Sequence, residues 1–516
     1  MDSITRCTRM RGTILFCFLL YTATSFAQNH SEKLDSLFNS LYSHGQMNGN
    51  VLVAEHGQPV YKKSFGYLNI ATQTLHDENS LFSLASISKS ITATAILQLK
   101  EKGTLKLDDY VTTYLNEFPY PNITIRNLLT HTSGLPDFDL FEDEIKRNPN
   151  KIFTNKDVLP SLKVWNKPLE NKPNETWTYS NINYLLLALI IEEISGEEFQ
   201  VYVRKHIFIP AKMKNTIFQT DTLVLRNKRK STNYTYPFKY SSKLKRVDSI
   251  DRFHWNVHCL SGFVGQGNIL STTEDMLKFD QILYSGTLLK TATLAEAFAP
   301  NKLIDGTIAG SVNFGQKYYQ GLGWFVLEDT TEGHIVWHSG GVPGALSILF
   351  RNIDKRQTVI VLDNTFSSGL YRNGLNAMNI LNNKPLVATK QSLARVYGST
   401  LVEKGPDEAY AKLIEMRDDT TYYYVSEEDL NDLGYQFLYE ASFDNHDRHA
   451  LEVLKQNTLL FPNSFNTYDS YGEALAKSGK KEEAIVMYRK SIALNPANEG
   501  GKKALEELLR KQGDQK

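Results

Sequence analysis

The sequence predicts an α+β domain, one antiparallel sheet covered by helices, followed by an all-α domain. Strand-like runs stand at both ends of the first 385 residues with a helical middle between them, so distant chain segments close a single sheet. The C-terminal residues 420–516 repeat with a period of about 34, as an array of helical pairs does. The length of 516 residues also exceeds what one core holds, since single cores stop growing near ~250–300 residues.

Residues 1–27 read as an address. Arg6, Arg9 and Arg11 form a basic start, Thr13–Tyr21 is an apolar run too short to span a bilayer, and Ser25-Phe26-Ala27 supplies the small residues of a signal-peptidase site. Cleavage is expected after Ala27, and the mature protein is expected to be periplasmic or secreted. No later segment is long and apolar enough for a membrane helix.

The next segment, 28–385, carries the mixed domain. Leu34, Leu37, Phe38 and Leu41 recur at helical spacing, predicting a helix over 31–43. Strands are expected at Gly49–Glu55 and Pro59–Tyr67, turned through His56-Gly57-Gln58. Helices follow over Ser86–Leu107, Thr124–His131 and Asn181–Ser195. Asp221–Asp251 is polar and aperiodic, a surface excursion of the kind that shapes substrate sites. Strands return at Gly321–Leu327, His334–His338, Ala345–Arg351 and Thr358–Asp363, and the domain is expected to end near 385.

Residues 386–419 read as a helical linker and 420–516 as tetratricopeptide-like repeats. Ala450 aligns with Ala484, Leu454 with Tyr488, and Pro462 with Pro496. Tyr468, Tyr471, Gly472, Ala484, Tyr488 and Pro496 fall where that repeat wants aromatic, large, small, small, aromatic and helix-ending residues. Such arrays bind peptides or proteins on a concave face, or brace a neighbouring domain.

Composition removes several classes of function. The chain carries 57 Lys+Arg against 57 Asp+Glu. Loss of Arg6, Arg9, Arg11 and Asp2 with residues 1–27 leaves 54 against 56, which offers nucleic acid no basic excess. Of the three cysteines, Cys7 and Cys17 leave with the signal, so the mature chain retains Cys259 and no internal disulfide.

Ser86-Ile-Ser-Lys89 carries the first chemical hint. Residues three apart share a helix face, so Lys89 Nζ reaches Ser86 Oγ and, where its charge is suppressed, takes the serine proton. The spacing alone is weak, since it recurs at Ser242–Lys245 and Ser478–Lys481. Tyr179-Ser180-Asn181 precedes an apolar helix, where the phenol is placed to bond Ser86 and the Asn181 amide to hold a substrate carbonyl. His338-Ser339-Gly340-Gly341 ends a strand, where glycine lets a substrate backbone lie close. The Gly341 N–H then pairs with that of Ser86 as an oxyanion hole.

In order along the chain stand Phe82–Ser90, Leu128–Leu135, Tyr179–Asn181, Leu270–Met276 and His338–Gly340. With these motifs, residues 35–385 resemble the serine beta-lactamase-related family: class C beta-lactamases, DD-peptidases, D-amino-acid peptidases and esterases. The resemblance implies a sheet with helices on both faces plus a helical subdomain, with the site between them. It implies Ser86 as acylated nucleophile, Lys89 and Tyr179 sharing acid–base work, and Asn181, His338, Ser339 and Gly340 holding substrate. It implies no cofactor and no metal. His254 and His258 have helical ligand spacing but lack the following glutamate and a third ligand. His131, inside the hallmark Leu129–Gly134, is expected to be structural.

Two departures shape the functional expectation. His338-Ser-Gly stands where class A and C beta-lactamases usually carry Lys-Thr-Gly, and no Glu-x-x-Leu-Asn segment follows Tyr179. A secreted hydrolase of DD-peptidase, D-aminopeptidase or esterase type is therefore favoured over a beta-lactamase. The alternative is an inactive sensor that uses the same fold and reports through its repeats. The expected partners are a small-molecule or short-peptide acyl donor and, for the repeats, a protein or peptide.

Overall fold

Alternating apolar residues build the centre of the first unit. In the computed structural model, which describes residues 29–220, 227–313, 316–327, 331, 333–367 and 369–513, eight strands form one sheet. They are β1 (Gly49–Glu55), β2 (Gln58–Phe65), β3 (Gly310–Asn313), β4 (Gln316–Gln320), β5 (Phe325–Leu327), β6 (Ile335–Val342), β7 (Ala345–Asn352) and β8 (Gln357–Asp363). Their order is β3-β4-β5-β6-β7-β8-β1-β2, each pair antiparallel. The β1–β8 register, Gly49 opposite Asp363 through Glu55 opposite Gln357, joins the two ends of the domain. The segment 1–27 and residues 221–226 of the polar stretch lie outside the described residues.

Side chains alternate between the sheet's faces with period two, and both faces are apolar. Val51, Val53, Ile348, Phe350, Val359 and Val361 enter one core, whereas Leu52, Ala54, Leu349, Ile360 and Leu362 enter the other. Among the described residues, the longest helices of this unit pack on them: α1 (residues 29–43), α2 (Ser88–Glu101), α3 (Ile182–Ser195), α4 (Thr273–Tyr284) and α5 (Leu370–Leu381). Leu34, Phe38, Ala377 and Met378 of α1 and α5 pack on the first face; Ile91, Leu186 and Met276 of α2, α3 and α4 belong to the second core. The expected α+β class, with helices on both faces of an antiparallel sheet, is what the chain adopts.

An ion pair lies inside the second core. Asp280 of α4 binds Arg351 of β7, Nε to Oδ1 at 2.5 Å, and takes the Thr358 hydroxyl of β8 at 2.7 Å. Both charged side chains are almost wholly buried.

Element ends differ from expectation for local reasons. The helix expected to reach Leu107 stops at Glu101, with Gly103 behind it at φ +74°. The strand expected from Gly321 begins at Phe325, because Gly321–Trp324 makes a close turn. There Gly323 has φ +76°, and a Cβ on it would lie 2.3 Å from the Ala93 Cβ. Strands β3 and β4 were not expected.

By its contacts the chain divides into two units: one runs to Thr235 and resumes over Arg246–Val387, and the other comprises Tyr236–Lys245 and Ala388–Lys516. The second unit is helical: α6 (Leu393–Lys404), α7 (Pro406–Asp418), α8 (Glu427–Tyr435), α9 (His446–Leu460), α10 (Phe465–Lys477), α11 (Lys481–Leu494) and α12 (Glu499–Gly513). Leu393, Tyr397, Leu413, Leu433, Phe437 and Leu454 share one core, so residues 386–419 pack with the helices that follow them. In the α10–α11 pair a Cβ on Gly472 would meet Tyr488 and Met487 at 3.4 Å, which shows how closely the two helices approach.

Part of the polar stretch also belongs here. Tyr240 stacks on Phe437 at 4.6 Å, and Lys239 binds Asp429 at 2.5 Å and Asp432 at 3.1 Å. Residues 236–245 are thus core and salt-bridge partners of the helical unit, where an excursion shaping a substrate site was expected.

Candidate active site

The site grows from a strained turn. Ala85 has φ +44°, a left-handed conformation that costs a residue with a Cβ about 1 kcal/mol or more. It opens the turn Ala85–Ile87, which runs directly into α2 and places half-buried Ser86 at the helix entrance. The turn is pinned from behind. Phe82 and Ser83 pair with Ser271 and Leu270, and the Leu84 N–H donates to the Ile269 carbonyl at 2.8 Å. The Leu270–Met276 motif is therefore a strand end followed by a helix cap, with the Thr272 hydroxyl accepting the Asp275 N–H.

Strand β6 forms the facing wall. A Cβ on Gly340 would fall 2.2 Å from the Leu84 carbonyl oxygen and 2.9 Å from the Ala85 Cβ, so only glycine permits this approach. Ser347 Oγ donates to the same Leu84 carbonyl at 2.7 Å, and Tyr371 Oη donates to the Gly340 carbonyl at 3.2 Å. Gly341 is exposed. Among the described residues, β5 pairs with β6 only at Val336 and Trp337, which leaves that edge of residues 338–341 without a strand partner. An extended substrate has backbone groups to meet there.

His338 contributes no charge. Its Nδ1–H donates to the Ser339 carbonyl at 2.7 Å, and the ring stacks on Phe325 at 4.8 Å. Burial, with Lys89 nearby, pushes its pKa down to about 3, so the imidazole is neutral at physiological pH.

Lys89 is fully buried at the centre. Its Nζ lies 3.0 Å from Ser86 Oγ, 2.7 Å from Asn181 Oδ1 and 3.0 Å from the Gln266 carbonyl oxygen. Burial drives its pKa down to about 7, against a smaller upward pull from the Asp137 carboxylate. Neutral lysine is therefore well populated near neutral pH, as a general base requires. The Gln266 carbonyl arrives on a glycine-rich loop. Gly265 has φ +103°, and a Cβ there would stand 2.5 Å from the Tyr184 carbonyl oxygen of α3.

Tyr179 completes the cluster. Its ring centroid lies 4.9 Å from Lys89 Nζ, and its phenol sits near enough to Ser86 for that hydroxyl to pull its pKa down against the larger upward push of burial. Burial raises the phenol pKa well above its ordinary value, so it holds its proton at neutral pH.

The hallmark segment Leu129–Gly134 holds Tyr179 in place. His131 stacks on the Tyr179 ring at 4.2 Å, its Nδ1 accepts the Ser180 N–H at 3.2 Å, and its carbonyl accepts the Thr178 N–H at 2.9 Å. Ser133 Oγ donates to Asn183 Oδ1 at 2.7 Å.

The structure thus joins Ser86 and Asn181 to Lys89 by direct hydrogen bonds, places the Tyr179 ring beside Lys89, and sets Gly340 against the nucleophile's turn. Sequence reasoning missed Asp137 and the Gln266 carbonyl. The Gly262–Gly267 segment, with three glycines in six residues, was a signal for the second.

Other candidates serve packing. His254 and His258 stack at 4.8 Å, and each Nε2 faces a carbonyl, of Pro149 and Asn150, at 3.1 Å. Cys259 is buried in the second core, and burial raises its thiol pKa.

The beta-lactamase family profile matches residues 34–379. Penicillin-binding protein 4* of Bacillus subtilis (strain 168) is 38% identical over 342 residues, covering 65% of this chain and 72% of that protein. Among solved structures, the penicillin binding protein from Bacillus halodurans superposes with a TM-score of 0.55 at 26% identity, over 66% of this chain and 98% of that one. The D-amino acid amidase from Ochrobactrum anthropi SV3 shares the fold, with a TM-score of 0.55 at 22% identity over 69% and 98% of the two chains.

Proposed function

This chain belongs to the beta-lactamase family, and on that premise we propose that it is an exported serine hydrolase that cleaves a small amide or ester through an acyl-enzyme on Ser86. The observation that carries this is the buried Lys89 amine, 3.0 Å from Ser86 Oγ with a pKa near 7. As Oγ attacks the acyl carbonyl, its proton passes to Lys89 Nζ. The Tyr179 phenol gives its proton to the departing amine or alcohol and recovers one from the lysine ammonium. Water then repeats the sequence on the ester, releasing the acid. The N–H groups of Ser86 and Gly341 receive the oxyanion, a contribution of about 10²–10³-fold per donor.

The reaction type favoured is that of a DD-peptidase, D-aminopeptidase or esterase. Neutral His338 supplies no cation on β6, so within that set it favours acyl donors whose leaving group carries no carboxylate, as an amide or ester does, over a D-Ala-D-Ala peptide. Asn181, Ser339 and Gly340 are the proposed substrate contacts. Residues 420–516 are proposed to be a tetratricopeptide-like array that takes a peptide or protein, in keeping with the closeness of α10 and α11. Among the described residues no helix is long and apolar enough to cross a membrane.

Incubating the mature protein with a fluorophosphonate and mapping the adduct tests the reading. Labelling at Ser86 that disappears in Ser86→Ala is expected, with turnover of at least one of para-nitrophenyl esters, D-amino-acid amides or D-Ala-D-Ala peptides. Labelling that persists in Ser86→Ala would remove Ser86 as nucleophile. A stable adduct with no turnover on that panel or on nitrocefin would replace the hydrolase by a sensor.

A further inference from the structure

Asp137 stands outside every motif so far used, three residues beyond Gly134. Its half-buried carboxylate meets Asn181 with both oxygens: Oδ1 accepts the backbone N–H at 2.7 Å and Oδ2 accepts the side-chain Nδ2–H at 3.1 Å. A carboxylate has no proton to donate, so it admits only one orientation of the Asn181 amide. The NH₂ group faces Asp137 and the carbonyl oxygen faces Lys89 Nζ, at 2.7 Å.

The consequence reaches the nucleophile. Lys89 Nζ has three polar neighbours: Asn181 Oδ1, the Gln266 carbonyl oxygen and Ser86 Oγ. The first two can only accept. A neutral amine therefore directs its two N–H bonds at them, and its lone pair is left for Ser86 Oγ, the one neighbour with a proton to give. Were the Asn181 amide turned over, its NH₂ group would compete for that lone pair.

We infer that Asp137 is a positioning residue for acylation, locking the Asn181 amide so that the lone pair of Lys89 points at the Ser86 hydroxyl. This rests on the acyl-enzyme reading. In the step concerned, the Ser86 O–H bond breaks, its proton forms a third N–H bond on Lys89, and Oγ bonds the acyl carbon. Asp137 donates and receives nothing.

Asp137 also sets when the amine is free. Lys89 faces Asp137 as its carboxylate, while His131 and His338, both neutral because burial lowers their pKa, and the phenols of Tyr179 and Tyr184 surround it. Burial pushes the Asp137 pKa above the ordinary carboxylate value; the Asn181 hydrogen bonds and Lys89 pull it back toward the carboxylate form, and Asp139 adds a weaker upward push. Charge and position are therefore separable by substitution.

Asp137→Asn removes the charge and leaves one acceptor oxygen for the two Asn181 donors, so either the backbone N–H or the side-chain Nδ2–H meets an NH₂ group. Its fluorophosphonate acylation plateau is expected to fall about 10²-fold. The acidic limb of the rate, and the Lys89 Cε titration followed by NMR with the resonance assigned from Lys89→Arg, should move about 1 pH unit lower. Asp137→Glu keeps the charge and displaces the oxygens, so its limb should stay while its plateau falls. A defect of packing alone would lower both plateaus and leave the limb and the Lys89 titration where they are.

Wild-type plateaus in both variants, or an unmoved Lys89 titration in Asp137→Asn, overturn the inference. Persistent labelling of Ser86→Ala overturns the acyl-enzyme reading instead. The Lys89 titration still decides whether Asp137 governs the amine, since it needs no turnover.

Discussion

Two fully buried cations in the first unit have opposite fates. Arg351 touches its carboxylate directly, Nε to Asp280 Oδ1 at 2.5 Å, and remains a structural ion that ties β7 to α4. Lys89 has a carboxylate nearby too, yet the Asn181 amide stands between them and relays hydrogen bonds in place of charge contact. Its pKa falls to about 7. Guanidinium cannot give up its proton, and an amine can. One interposed amide and the choice of lysine turn a buried ion pair into a base.

The largest expected effect falls on the catalytic cation. Lys89→Ala should lower the acylation rate by about 10²–10⁴-fold, the usual scale of lost proton transfer, with little change in the folded far-UV signature. A rate within tenfold of wild type would take Lys89 out of the mechanism. Breaking the structural pair has the reverse pattern. Asp280→Ala leaves a buried guanidinium unpaired and should cost about 3–5 kcal/mol of stability in urea unfolding. The acylation rate of the fraction still folded should be unchanged. Equal loss of rate and stability in both variants would erase the distinction between the two ions. Tyr179→Phe comes next, at about 10²-fold in turnover, since it removes the proton donor and leaves Lys89 its acceptors.

Which parts of this were legible follows from how local each cause is. Ser86 and Lys89 share one helical turn, so three-residue spacing brings them together without tertiary information. The strands β1, β6, β7 and β8 carry apolar residues toward both faces and read as strands directly. β3 and β4 do not: Ser311, Asn313, Gln316, Lys317 and Gln320 give them a polar look, and only the pairing of β4 with β5, and of β3 with β4, fixes them. Asp137 was invisible because its partner lies 44 residues away. Tyr240 read as loop because the ring that buries it, Phe437, is nearly two hundred residues further along the chain. The 34-residue period marks α10 and α11, but it has no means of showing that residues 236–245 and 386–419 join the same core.

The smallest effect sharpens the comparison most, because it separates a titrating ion from a fixed one. Lys89 ionises near pH 7 when folded and near pH 10.5 when unfolded. Between these values the unfolded chain binds the extra proton, so stability rises with pH, by at most about 1.4 kcal/mol per pH unit for one group. Below pH 7 both states carry the proton and the penalty of burying it is constant; above 10.5 neither does and the penalty is gone. Lys89→Met has no such proton. The stability of wild type relative to Lys89→Met, taken from urea midpoints at pH 6, 7.5 and 9, should therefore be flat at first and then climb. The same comparison for the double variant Asp280→Asn/Arg351→Met should stay level across the range, since arginine keeps its proton in both states and no unpaired buried carboxylate is left behind. A level line for Lys89 would mean that its amine holds the proton as firmly as Arg351 does, and that the two buried cations differ in place but not in kind.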